Sequence, residues 1–275
     1  MTIPQPLDRL SAQGIHAVPP YPVLSAHGVS VRLGERHIVR DVDLSLNPNE
    51  ILAVIGPSGC GKSTFIATLN RMIEHTLPAA EVEGQIKLNG TQILPAMNDA
   101  THLRNKIGMV FQRPNPFPFS VQRNMEFALK ANGDHDRSGY ADKIEEALRL
   151  VNLWDRLDGR LNDPATCLSG GEQQRLCIAR ALLSDPDVIL FDEPCSALDP
   201  ISCTAIEELI LRLKERCSVL IVTHNLAQAR RIADRCAVFW LREGSGEVIE
   251  CGTMQQIVDT PKEQITRAYI RGEFC

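Results

Sequence analysis

The segment Gly56-Pro-Ser-Gly-Cys-Gly-Lys62-Ser63 constrains the fold more than any other feature of this 275-residue chain. It fits G-x-x-x-x-G-K-[ST] in full, follows the apolar run Ile51–Ile55 and opens a helical stretch, Thr64 to Met72. Strand, glycine-rich turn and helix in that order make a phosphate cradle. Gly56, Gly59 and Gly61 let backbone N–H groups converge where the positive end of the helix dipole also points. Pro57, Ser58, Cys60 and Thr64 complete the loop. Lys62 neutralises phosphate charge, and the Ser63 hydroxyl suits Mg²⁺. A chance glycine-rich turn would lack one or both flanks.

A second run, Val188–Phe191, ends in Asp192-Glu193. Two carboxylates then stand beyond the carboxyl end of a buried strand, where ligands bind in parallel sheets. Asp192 is suited to holding Mg²⁺ through water, and Glu193 to orienting and deprotonating a water. A solvated acidic turn is the plainer reading, but a carboxylate pair after four apolar residues needs partners. A third run, Ser218–Val222, leads to His224, a candidate hydrogen-bond donor to the terminal phosphate.

Strands alternating with helical stretches at 171–183 and 202–216 indicate parallel βαβ units, so the fold class is α/β. Val29–Val31, Ile38–Val39 and Val42–Leu46 read as short strands turning at Gly34-Glu35, and Asn89-Gly90 as a hairpin turn. Prolines 114, 116 and 118 open a mostly helical insertion that continues through Ile144, Leu148 and Val151. Residues 1–20 lack periodicity and read as a mobile tail.

With 44% hydrophobic residues and a net charge of −5, disorder and charge-driven nucleic-acid binding are both disfavoured. No window holds the roughly 18 apolar residues of a membrane span, and the N-terminus does not read as a secretory signal. The nine cysteines contain no C-x-x-C pair, against a zinc ribbon or disulfide scaffold. Arg212, Lys214, Arg216, Arg230, Arg231 and Arg235 read as a solvated face among acidic neighbours.

Leu168-Ser-Gly-Gly-Glu172 precedes another helix, with Ser169 and Glu172 spaced as a capping box. This is a second helix N-terminus able to receive a phosphate, which points to a site completed by another copy of the chain.

With these elements in place the sequence resembles the nucleotide-binding subunits of ABC transporters over about residues 23 to 275. The elements come in the family's order: Gly56–Ser63, the glutamine of Phe111-Gln112, Leu168–Arg175, Val188–Glu193, the loop Ser196–Asp199, and His224. The resemblance implies a P-loop ATPase with a RecA-like parallel core, an antiparallel β subdomain and a helical subdomain at about 113–183, within one nucleotide-binding domain at 21–275. It implies ATP and Mg²⁺ as cofactors. A homodimer would sandwich two ATP molecules, with Ser169, Gly170, Gly171 and Asp199 acting in trans. Gln112 would touch Mg²⁺ and the attacking water, beside Ser63 and Asp192 as metal residues and with Glu193 and His224 as catalytic ones.

Segments outside the ATPase chemistry, Arg113–Ser120, Asp192–Ser202, Val222–Asn225, Leu69–Met72 and Arg271–Phe274, are similar to the ATP-binding subunits of phosphate importers. That subgroup implies two membrane-spanning permease subunits, an extracytoplasmic phosphate-binding protein, no nucleic acid, and a place on the cytoplasmic face of the membrane. Phe117–Phe119 would fit a surface gripping a permease helix, or an ordinary buried loop. Leu33 stands where the family usually stacks adenine on an aromatic ring, leaving Arg32 or His37 as alternatives. An importer of another small solute, a soluble ATPase acting on nucleic acid and a P-loop kinase are the competing readings.

Overall fold

The computed structural model describes residues 21–94, 99–134 and 136–273. The expected tail at 1–20 lies outside the described residues, as does Phe274.

Strands β1 (Leu24–Leu33) and β2 (Arg36–Leu46) form a hairpin about Gly34-Glu35. The runs Ile38–Val39 and Val42–Leu46, read as separate strands, are one strand interrupted by a bulge. Val29 faces Val42 whereas Val31 faces Val39, so β2 carries an extra residue. Asp41 absorbs it at φ 45°, and its N–H donates to Ser30 Oγ at 2.9 Å. Next come β3 (Ile51–Ile55), α1 (Lys62–Leu69) and α2 (Ile73–Thr76). A second hairpin joins β4 (Ala80–Leu88) to β5 (Thr91–Leu94). Its turn residues Asn89 and Gly90 both have positive φ, 48° and 77°, as a two-residue hairpin needs.

Then follow α3 (Ala100–Lys106) and β6 (Ile107–Val110). The helical portion contains α4 (Val121–Ala131), α5 (Tyr140–Leu150), α6 (Trp154–Leu157) and α7 (Gly170–Leu182). Buried Asn124 pins the proline-rich approach to it: its amide bonds the Phe117 N–H and the carbonyls of Phe117, Phe119 and Ser120. The chain returns through β7 (Val188–Asp192), α8 (Pro200–Leu213), β8 (Ser218–Val222) and α9 (Leu226–Ile232). It ends in β9 (Arg235–Arg242), β10 (Ser245–Thr253), α10 (Met254–Asp259) and α11 (Gln264–Ile270).

The strands form one sheet in the order β5-β4-β1-β2-β10-β9-β3-β8-β7-β6. From β9 to β6 all neighbours are parallel, whereas β5, β4, β1 and β2 pair antiparallel. The uninterrupted apolar runs are explained by burial on both faces. Ile51, Ala53 and Ile55 of β3, with Ile189 and Phe191 of β7, pack under α4, α5, α7 and α8. Leu52, Val54, Val188 and Leu190 pack on the other side with Phe65 of α1 and Phe239 of β9, whose rings lie 5.4 Å apart.

The basic residues read as a solvated face are exposed or half-exposed, and several of them pair with acids. Arg231 makes two 2.7 Å bonds to the nearly buried Glu207 carboxylate, and Arg235 reaches buried Glu50 at 3.3 Å. Lys214 pairs with Asp234, and Arg216 with Glu146 of α5. Charges that look alike along the chain meet acids brought by other elements.

Candidate active site at the carboxyl ends of three strands

Strands β3, β8 and β7 lie side by side in parallel register, with Val54 opposite Val222 and Val222 opposite Asp192. Their carboxyl ends therefore lie at one level. The phosphate loop, Thr223-His224 and Asp192-Glu193 all start from that level, which is why residues far apart in sequence meet.

The loop's shape is imposed from behind. Gly56 has φ 147°, and a Cβ on it would lie 2.1 Å from the Phe239 carbonyl oxygen. At Gly61 (φ 93°) a Cβ would stand 3.0 Å from the Ile38 carbonyl. Gly59, at φ 79°, faces open space. Buried Lys62 curls back over the loop, its Nζ donating to the carbonyls of Gly56 at 2.8 Å and Pro57 at 2.6 Å. These bonds hold the ammonium over the loop.

Ser63 Oγ donates to Asp192 Oδ1 at 2.9 Å. A hydroxyl and a carboxylate side by side form the hard-oxygen donor set that Mg²⁺ prefers, so these residues fit that ion. Burial pushes the Asp192 carboxyl above its ordinary value, opposed by the Ser63 bond. Glu193 adopts φ 46° and its N–H bonds the Val222 carbonyl at 2.9 Å, so β8 fixes its backbone. A positive φ at a non-glycine residue is a strained geometry of the kind found at functional sites. The Glu193 Oε2 lies 3.0 Å from His224 Nδ1 and 3.4 Å from Gln112 Nε2. Gln112 thus joins Glu193 and not the Ser63–Asp192 pair. Glu193 and His224 also line an open cavity of about 660 Å³ with Ser196, Asn225 and Arg231.

Ser169, Gly170, Gly171 and Asp199 form a separate place, and no hydrogen bond links them to the cradle among the described residues. Ser169 caps α7 in a full capping box, its Oγ meeting the Glu172 carboxylate at 2.8 Å. Burial raises the Glu172 carboxyl, but its bonds to Ser169 and the charges of Arg156 and Arg175 outweigh this and leave it below the ordinary value. A Cβ at Gly171 would lie 2.4 Å from Ser202 Oγ, so the helix start sits against α8. Asp199 caps α8 through the N–H groups of Ile201 and Ser202.

Leu33 is exposed at the tip of the first hairpin. Arg32 pairs with Glu81, so its guanidinium is already engaged.

Motif reasoning gave no role to several residues, Gln174 among them although it lies within Leu168–Arg175. Gln174 is fully buried and bonds the Phe111 carbonyl at 3.1 Å, next to Gln112. Gly246 of β10 packs on the loop, where a Cβ would lie 1.9 Å from the Cys60 carbonyl. Tyr269 of α11 meets the Gly56 backbone, and burial pushes its phenol pKa up. None carries a local signal, because each acts through a contact distant in sequence or by lacking a side chain.

Residues 39–196 match the family model described as ABC transporter. The "Phosphate import ATP-binding protein PstB 1" of Nitrosococcus oceani is 50% identical over 94% of both chains. The protein of that name in Bacillus licheniformis is 46% identical over 94% of this chain and 98% of its own. Among solved structures, "cbiO1 from clostridium perfringens", part of the ABC transporter complex cbiONQ, superposes with a TM-score of 0.74 at 25% identity, covering 91% of this chain and 96% of its own. With 50% identity to one such relative over 94% of its length, and the phosphate loop, Asp192-Glu193 and His224 gathered at the carboxyl ends of neighbouring strands, the chain belongs to the ABC transporter family of ATP-binding proteins.

Proposed function

We propose that this chain is the ATP-hydrolysing subunit of an importer of inorganic phosphate. The ATPase assignment is carried by the meeting of Gln112 and His224 on Glu193, beside a cradle holding Lys62, Ser63 and Asp192. Phosphate as the solute is supported by relatives 46–50% identical that are named phosphate import proteins.

The backbone N–H groups of the loop and the Lys62 ammonium bind the β- and γ-phosphates. Ser63 and Asp192 hold Mg²⁺, which when bound neutralises charge on those phosphates. Glu193 orients a water in line with the γ-phosphorus and accepts its proton as the new P–O bond forms and the bond to ADP breaks. The His224 imidazole and the Gln112 amide hold the Glu193 carboxylate and the water between them. Ser169, Gly170, Gly171 and Asp199 serve the nucleotide of a second copy, because their capped helix end is an anion receiver that the chain's own cradle does not use.

Residues 21–275 act as one nucleotide-binding unit whose helical part, about 113–183, carries the capped helix. No helix among the described residues is long and apolar enough to cross a membrane. The chain is seated on the cytoplasmic face by two permease subunits, served outside by a phosphate-binding protein. The cleft where Phe117 and Phe127 meet edge to face at 4.8 Å, beside Arg180, is the candidate seat for a permease helix.

Glu193→Gln tests the core of this reading. The variant keeps ATP and Mg²⁺ bound, loses at least about 100-fold in hydrolysis, and runs as a nucleotide-dependent dimer in size-exclusion chromatography. Hydrolysis near the wild-type rate, or a monomer at saturating ATP, would remove the assignment. Phosphate uptake by cells carrying Lys62→Ala, against uptake of other oxyanions, tests the solute.

A further inference from the structure

Gln112 sits in an exposed stretch whose two ends are held by one helix. At the near end, the Gln174 amide of α7 donates to the Phe111 carbonyl at 3.1 Å. At the far end, α7 meets Asn115 through two more residues at three-residue spacing. Cys177 Sγ lies 3.5 Å from Asn115 Oδ1. Arg180 donates Nη1 to the Asn115 carbonyl at 3.2 Å and Nη2 to its Oδ1 at 3.1 Å, with its guanidinium 4.5 Å from the Phe117 ring centre. The same helix begins at Ser169–Gly171.

The choice of glutamine at 174 is costly unless its N–H groups are needed. The side chain is 0% exposed, and its Oε1 has no hydrogen-bond partner among the described residues. An apolar residue of equal volume would fill the space without an unpaired oxygen. What glutamine adds is the bond to Phe111, the residue immediately before Gln112. The Gln112–Glu193 contact, at 3.4 Å, is at the long limit for a hydrogen bond. Where the Phe111 backbone is held therefore bears on whether the contact is made.

We propose that Gln174 is a positioning residue for ATP hydrolysis, setting through Phe111 where Gln112 stands relative to Glu193. This rests on the roles given to Gln112 and Glu193 above. It makes α7 a single rigid piece with the phosphate-receiving end at its start and the Gln112 stretch fixed along its flank.

The test is a double-mutant cycle on ATP turnover by the full-length chain, with Gln174→Met, Gln112→Ala and the double variant. Gln174→Met keeps the volume and removes the donor. Alone it lowers kcat about tenfold, the effect of one lost hydrogen bond, and leaves KM for ATP within about twofold. In the Gln112→Ala background it changes kcat by less than about twofold, because its effect has nothing left to act through. Losses that multiply, or an unchanged kcat in Gln174→Met, overturn the proposal. Should Gln174→Met fail to fold by thermal melting, Gln174→Leu, which also removes the donor, takes its place in the cycle: a loss absent from the Gln112→Ala background supports the proposal, and multiplying losses or an unchanged kcat overturn it. A wild-type chain without ATPase activity overturns the site assignment itself, whereas multiplying losses in an active enzyme overturn only the role of Gln174.

Discussion

Asp192 is where burial and chemistry conflict most directly. Its carboxyl is raised above the ordinary 3.8 by burial, and the Ser63 hydroxyl and Lys62 charge only partly offset this. A folded-state pKa above the unfolded one means that protonation favours the folded chain. That contribution is complete below the unfolded pKa and is lost as pH rises through the folded one. In the proposed site a bound cation would reverse the preference by favouring the carboxylate, so protons and Mg²⁺ would compete for the same oxygens. Apparent Mg²⁺ affinity at saturating ATP is expected to fall as pH drops, starting from above 3.8, and Asp192→Asn should flatten the profile. Mg²⁺ titration of ATPase activity across mildly acidic pH checks this. The placement of Asp192, Glu193 and His224 at strand ends was legible in the sequence because each follows a buried apolar run. That Gln112 bonds Glu193 and not the Ser63–Asp192 pair was not legible, since spacing does not carry side-chain direction.

At the scale of the element, α7 shows how a local signal and a distant one coexist in a single helix. Its start is written locally: Ser169 and Glu172 satisfy each other's backbone donors within one turn. Glu172→Ala should therefore cost about 1 kcal/mol, read as a lower urea midpoint, and Glu172→Gln far less, since the amide still accepts the bond. The Glu172 pKa lies below 4.5 in the folded chain, so its contribution is present above 4.5 and fades as pH falls through the lower, folded value. Wild type and Glu172→Gln should thus converge in acid. The flank of α7 is different. Gln174, Cys177 and Arg180 face a loop some sixty residues earlier in the chain. As a hydrophobic pattern they read as two polar residues and a thiol of no evident purpose. The β2 bulge is similar: two short runs became one strand because Asp41 takes a left-handed backbone beside Ser30, a property of the pairing and not of the residue.

In the whole molecule the candidate site is a product of sheet order. Strands β3, β8 and β7 are neighbours although other elements separate them along the chain, and their parallel register brings three motifs to one edge. The back of the cradle belongs to β9 and β10, where the Phe239 carbonyl leaves no room for a Cβ on Gly56 and the Cys60 carbonyl none on Gly246. Gly246→Ala is expected to weaken ATP binding at least about tenfold, a shift of roughly 1.4 kcal/mol, although no residue of the loop changes. Titration with a fluorescent ATP analogue checks it, and unchanged affinity would mean that β10 does not shape the loop. By itself the sequence determined the phosphate loop, the carboxylates and histidine at strand ends, the capped helix and the α/β class. Each of these rests on contacts within a few residues or on the periodicity of burial. Only the tertiary structure decided which glycines are backed by another strand, which arginines meet buried acids, and that one helix holds both ends of the Gln112 stretch. Such contacts join residues whose separation along the chain leaves no periodic trace, and only packing brings them within bonding distance.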